Sequence, residues 1–343
     1  MSKYLELVEG SFNESHFNKQ TSQNPYVAYS IEDDKVVYSI VTKPVVNDSW
    51  LTFTAEEANS TIRLAKLSTN QTLEYSTDTT TWNTFDTTTN ISLNNGDKVY
   101  VRGLLSNNNS SGNFTQFKMT GKIAASGNCN AIWNYQDLKA SLKAYCGYSM
   151  FDNCASLTTA PELPATELAD SCYYGMFGRC TYLTTAPELP ATELAYASYS
   201  YMFQYCTSLT TSPELPATKL ADNCCRSMFK NCTSLTTAPE LPATELADSC
   251  YNGMFENCTS ITTVPELPAT ELANYCYGYM FNGCTNLNYI KCLATTITPT
   301  YCTSNWVKGV SSTGTFVKHP NMSKWTTSAN GIPSGWTVVN AEV

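Results

Sequence analysis

Met228-Phe229-Lys230-Asn231-Cys232-Thr233-Ser234-Leu235-Thr236-Thr237-Ala238-Pro239-Glu240-Leu241-Pro242 is one copy of a phrase written repeatedly between Cys146 and Leu293. Met-Phe recurs at Met150-Phe151, Met176-Phe177, Met202-Phe203, Met228-Phe229, Met254-Phe255 and Met280-Phe281, 26 residues apart each time. A cysteine follows each Phe by three positions (Cys154, Cys180, Cys206, Cys232, Cys258, Cys284), and an aliphatic residue follows each cysteine by three more. Five copies continue as Pro-Glu-Leu-Pro-Ala-Thr, from Pro161, Pro187, Pro213, Pro239 and Pro265. A fixed period of this length marks a solenoid, in which one unit is too small to bury its apolar face and does so by stacking on the next. Six turns about 5 Å apart make a rod roughly 30 Å long. Within each turn, Tyr-x-x-Met-Phe-x-x-Cys is expected to be a short helical or turn segment with Met-Phe inward. Leu157-Thr158-Thr159-Ala160 and its counterparts are expected to stack as parallel strands, kept short by the prolines.

The remaining chain frames this block. Residues 1 to 48 are polar, with two β-rich runs, Tyr26–Ile31 and Val36–Val41, spaced for a hairpin; the segment reads either as an anchor or as an extra edge of the sheet that follows. Residues 49–128 carry six short strand patterns, at Trp50–Ala55, Ser60–Leu64, Leu73–Ser76, Asn90–Leu93, Lys98–Arg102 and Phe114–Met119, with turns at Asn94-Asn95-Gly96-Asp97 and Asn107–Asn109. That spacing predicts a small all-β sandwich, with Tyr75 and Trp82 as core or corner aromatics. Residues 129–293 hold the repeats, opened by Ile132–Ala144, where Ile132, Tyr135, Leu138 and Leu142 share a helical face suited to an N-terminal cap. Residues 294–343 are expected to close the far end as a C-terminal β cap.

Composition narrows the functions. A net charge of −9 with no Lys/Arg cluster argues against nucleic acid, which demands basic patches. No run of 18 apolar residues is present, so membrane insertion is not expected. The N-terminal residues lack the apolar run of a secretory signal, so the chain is expected to act where it is made or to leave the cell within something larger. The 15 cysteines are odd in number and mostly follow the period, which favours a ladder of buried thiols over cross-turn bridges. Cys-x2-Cys pairing is not repeated, and His16 and His319 both lie outside the repeats, so no metal or cofactor is expected.

The run from Met228 to Pro242 resembles the BspA-type leucine-rich repeat of gut and oral bacteria, found on gut Bacteroidales surface proteins and in their phages, where Ala-Phe often replaces Met-Phe. The likeness covers about 150 residues, and the tail from Gly314 to Val338 resembles the closing segment of such proteins. Ser198 departs from the periodic cysteines Cys172, Cys224, Cys250, Cys276 and Cys302, and Cys225 is additional. The resemblance implies adhesion or recognition rather than catalysis. It points to a virion structural protein, a head or tail fibre or appendage docked through residues 1–48 on capsid or tail proteins. Its repeats would bind a host surface protein or glycan, as a dimer or trimer. The alternative is a bacterial cell-surface adhesin.

The period also creates columns of candidate site residues. Glu162, Glu188, Glu214, Glu240 and Glu266 would stack as like charges, a solvated face rather than a Ca²⁺ site. Tyr173, Tyr199, Tyr251 and Tyr277 share a column and read as packing between turns. Tyr148, Tyr174, Tyr182, Tyr201, Tyr205 and Tyr279 vary from copy to copy, so the fold does not dictate them; their amphipathic rings are the candidate ligand contacts. No nucleophile–base pairing, phosphate loop or metal motif is written into the chain, so it is not expected to be an enzyme.

Overall fold

A computed structural model describes residues 26–32, 35–41 and 50–342 as mostly β, with almost no helix, several sheets and, among the described residues, no barrel. The chain divides into two units between Asn47 and Asp48. In the first, β1 (Tyr26–Glu32) and β2 (Lys35–Val41) pair antiparallel with Glu32 opposite Lys35, which is the expected hairpin. Residues 1–25, 33–34 and 42–48 of the expected anchor lie outside the described residues.

In the second unit, period-two burial fixes the first strands. These are β3 (Leu51–Ala55), β4 (Ser60–Lys66), β5 (Gln71–Ser76), β6 (Asn83–Thr84), β7 (Asn90–Leu93), β8 (Lys98–Leu105), β9 (Gln116–Thr120) and β10 (Ile123–Ser126). One sheet runs β10-β3-β8-β5-β6 and another β7-β4-β9. Val99, Val101, Gly103 and Leu105 of β8 all turn inward, as alternation demands. Phe53 of one sheet meets Phe117 of the other at 5.2 Å between ring centroids. Burying each such ring contributes about 1.5–3 kcal/mol. Gly103 is fixed by crowding: a Cβ there would lie 2.4 Å from the Thr72 carbonyl and 2.7 Å from that of Ile132.

The helix expected over Ile132–Ala144 is only one turn, α1 (Ala131–Asn134). Local side chains take the backbone groups a helix would use. Asn134 Oδ1 accepts from the Gln136 and Asp137 amides and Asp137 Oδ1 from Lys139, while the Tyr135 amide turns to the Gly103 carbonyl. Asn and Asp compete with helix in this way, so the apolar spacing here misleads.

Beyond α1, equivalent residues of successive copies lie against one another. Phe151, Phe177, Phe203, Phe229, Phe255 and Phe281 stack nearly parallel at 5.5 to 6.0 Å, and the Met-Phe pairs are all buried. Their backbone forms a ribbon, residues 145–154 and equivalents, in which alternate amides reach the next copy. Phe151 N–H donates to Met176 O at 2.8 Å, Phe203 to Met228 at 2.9 Å and Phe255 to Met280 at 3.0 Å. The amides between them close turns three residues back, as Met150 does to Gly147 and Cys154 to Phe151. Such alternation puts several residues of each ribbon in the left-handed region, including Ser149, Asn153, Arg179, Tyr201 and Tyr205.

In the Met-Phe-x-x-Cys column, every thiol from Cys180 to Cys284 donates to the Phe carbonyl of the copy before, as Cys180 does to Phe151 at 3.2 Å, Cys232 to Phe203 at 3.1 Å and Cys284 to Phe255 at 3.0 Å. All 15 cysteines are free and buried. Burial pushes the Cys154 and Cys284 thiols up to about 12, so they remain protonated. Cys225 is explained by its column: it stands where Tyr173, Tyr199, Tyr251 and Tyr277 stand in other copies.

The expected parallel strand is three residues long in the first copy, β11 (Leu157–Thr159), which pairs with β10. Later copies retain single bridges, Thr185 to Thr211 and Thr211 to Thr237. Pairing lengthens again at β12 (Tyr289–Cys292), β13 (Thr315–Lys318) and β14 (Thr337–Asn340), a parallel sheet. The ends of the stack are closed differently. The first ribbon receives Phe117 N–H of β9 at Met150 O, 2.8 Å, and Phe117 stacks on Phe151 at 5.3 Å. At the other end Trp306 covers Phe281 and stacks on Trp325 at 5.5 Å, with its indole N–H donated to Gly331 O.

Candidate binding surface

The ribbons place one side chain per copy in each outward column. In one column stand Tyr148, Tyr174, Ser200, Arg226, Asn252, Gly278 and Ser304. Its first two rings stack face to face, with centroids 4.8 Å apart and planes 9° apart. Ser200 leaves the third place open, and the neighbouring Tyr201 fills it at 5.3 Å from Tyr174. The Arg226 guanidinium lies 6.0 Å from the Tyr201 ring. Toward the β-sheets, Phe114 meets Tyr148 at 5.1 Å and Lys66 Nζ sits 4.3 Å over Phe114. The result is a half-buried aromatic strip with an exposed cation at each end.

Backbone hydrogen bonds hold the strip in place: Ser149 N–H to Tyr174 O, Gly175 to Ser200 and Tyr201 to Arg226, each at 2.8 Å. Tyr201 has φ of 58°, in a column shared with Ser149, Gly175, Ser227, Gly253, Tyr279 and Asn305. A tyrosine in that conformation costs on the order of 1 kcal/mol, which its neighbours with Gly avoid. Burial, with Tyr201 and Tyr148 alongside, pushes the Tyr174 phenol up to about 12. Burial, then Tyr145 and Asp152, raises Tyr148. Both hydroxyls are therefore neutral donors at physiological pH.

Of the six candidate tyrosines, Tyr148, Tyr174 and Tyr201 come together in the strip. Tyr182 is 54% exposed beneath Lys122, with Nζ 5.8 Å from its ring, and Tyr205 is exposed on the third ribbon. Tyr279 stands in the sixth copy, which also exposes Tyr275, 5.3 Å from Tyr301. The tyrosines of the Tyr173 column are packing: Tyr173 stacks on Tyr199 at 6.1 Å and Tyr251 on Tyr277 at 6.3 Å. Trp82 is half-buried in a closed cluster, where Arg102 lies 3.9 Å from it and 4.6 Å from Tyr135 while its Nε reaches Glu74 at 2.8 Å.

Lys66, Phe114, Tyr145 and Arg226 were not singled out from sequence. Arg226 was findable, since it stands three periods after Tyr148 in the same column; Lys66 and Phe114 come from another part of the chain and carry no periodic signal. Charge is segregated around the strip. Ribbon acids are matched, Asp152 by Arg179 and Glu256 by Lys230. The glutamates of Pro-Glu-Leu-Pro lie on the other segment of each copy, exposed from Glu162 to Glu240, with Glu266 held by Lys291 at 2.6 Å. The chain matches no family model, no curated protein and no solved structure.

Proposed function

We propose that this chain is a non-enzymatic binding and structural protein, a phage virion fibre or appendage whose repeats form a leucine-rich-repeat-type solenoid of 26-residue turns. In this reading residues 1–48 dock on the particle, the two facing sheets are a β-sandwich spacer, and the tail is a β cap. The tyrosine strip meets a host surface glycan or protein. The observation that carries the binding role is the pairing of Tyr148, Tyr174 and Tyr201 on the outer ribbon with a regular inner stack. The inner residues are repeated because packing requires them, whereas the strip changes from copy to copy and keeps Tyr201 in a backbone conformation unfavourable to it. The thiols of the Cys154-to-Cys284 column, raised by burial, stay protonated and supply no nucleophile, and the His319 ring is occupied in its own turn, accepting from Asn321 N–H at 3.1 Å.

The virion assignment rests on the resemblance of the repeats to those of phages and surface proteins of gut bacteria. Electron microscopy of purified particles labelled with antibody against the repeats tests it. Label on the particle surface is expected; label only on the envelope of uninfected bacteria overturns it in favour of a cell-surface adhesin.

A further inference from the structure

Taking the strip as a binding surface, and resting on that reading, we infer that its ligand is an acidic polysaccharide, an extended chain of uronate-type sugars. Its carboxylates are met by Arg226 at one end of the strip and Lys66 at the other.

Ring geometry decides what the strip presents. Tyr148 and Tyr174 lie face to face, so those faces are covered and are no platform for a sugar ring. Both residues are only half-buried, so what they leave to a ligand is ring edge and phenol hydroxyl, and hydroxyls pair with sugar hydroxyls and carboxylates. The steps along the strip, 5.1, 4.8 and 5.3 Å, are regular, and an extended pyranose chain advances by a comparable distance per sugar. A polymer laid along the strip meets one aromatic edge per sugar.

Charge decides which polymer. Among the described residues neither Arg226 nor Lys66 has a carboxylate within 4.0 Å, although the acids on the ribbons are paired. Next to Lys66, the outward face of β4 and β9 sets Arg63 directly opposite Lys118, a like-charge cross-strand pair that is unfavourable by itself. An anionic ligand neutralises it. The exposed glutamates Glu162, Glu188, Glu214 and Glu240 sit on a different segment of each copy from the strip, so an anionic polymer is steered toward the strip's cations and away from the glutamate columns. A neutral glycan gives no use to these unmatched cations.

The test is calorimetric titration of the full chain with oligogalacturonate and with its fully methyl-esterified counterpart, which has the same backbone without the charge. The acidic form is expected to bind and the ester to bind at least about tenfold more weakly, as is Arg226→Gln toward the acid, the size of one charge-assisted contact. Rising salt is expected to weaken binding of the acid. Equal binding of acid and ester, lost together in Tyr174→Ser, overturns the acidic class and leaves the strip as the site. Binding of either form unaffected by Tyr174→Ser overturns the class and the strip. Absence of binding by both probes overturns the inference, with surface binding by the strip still open to test on whole cells.

Discussion

The thiol of Cys232 donates to the carbonyl oxygen of Phe203, one copy earlier, at 3.1 Å. The same bond recurs from Cys180 to Cys284, so cysteine serves here as an apolar side chain that still satisfies a buried acceptor. Desolvation raises these thiols and the buried Tyr173, Tyr251 and Tyr277 phenols. A group raised in the folded state stabilises it fully below its unfolded pKa and loses that contribution as pH rises toward the folded value. Each such thiol then costs about 1.4 kcal/mol per pH unit above roughly 8.5. With many acting together, circular dichroism is expected to show cooperative unfolding before about pH 11. Native signal persisting beyond that contradicts the buried-thiol ladder.

Inner and outer side chains are expected to differ sharply in stability. Phe229 is fully buried between Phe203 and Phe255, at 5.6 and 5.7 Å, so Phe229→Ala should cost about 3–5 kcal/mol in urea denaturation. Tyr205 is 41% exposed, and Tyr205→Ala should cost under about 1 kcal/mol. Equal losses contradict the assignment of the two faces.

Tyr201→Gly separates binding from folding. Glycine relieves the positive φ, by about 1 kcal/mol, while contact with Tyr174 is lost at about 0.5–1.5 kcal/mol. Stability is expected to stay within about 1 kcal/mol of the parent while binding to the host surface falls. A large drop in Tm with binding preserved contradicts a recognition role for Tyr201.

The period, the inward Met-Phe pairs and the Tyr173 column were legible because side chains repeated in phase have one environment. So were Tyr148, Tyr174 and Tyr201, as departures from that phase. The ribbon conformation was not: Arg179, Tyr201 and Tyr205 occupy left-handed positions that single-residue preference assigns to Gly and Asn. The 132–144 helix was misread because periodicity ignores what Asn134 and Asp137 side chains do to nearby amides. β10 was missed because Ile123–Ser126 is short and gains its identity only by pairing with β3 and β11. The strip was seen in part, since Lys66 and Phe114 reach it through tertiary contact alone.

Removing residues 1–48 is expected to release the chain from its particle while leaving the repeats folded, because the second unit carries its own core. Co-sedimentation of the truncated chain with purified particles checks this; retention contradicts docking through that segment.

The most direct measurement is retention on an array of bacterial surface glycans by the full chain and by its Tyr148→Ser, Tyr174→Ser variant. Serine already occupies this column at Ser200 and Ser304, so the fold accepts it. The parent is expected to bind a subset of the array without releasing products, and the variant to bind at least about tenfold more weakly with the repeats still folded. Equal retention of variant and parent contradicts the strip as the recognition surface.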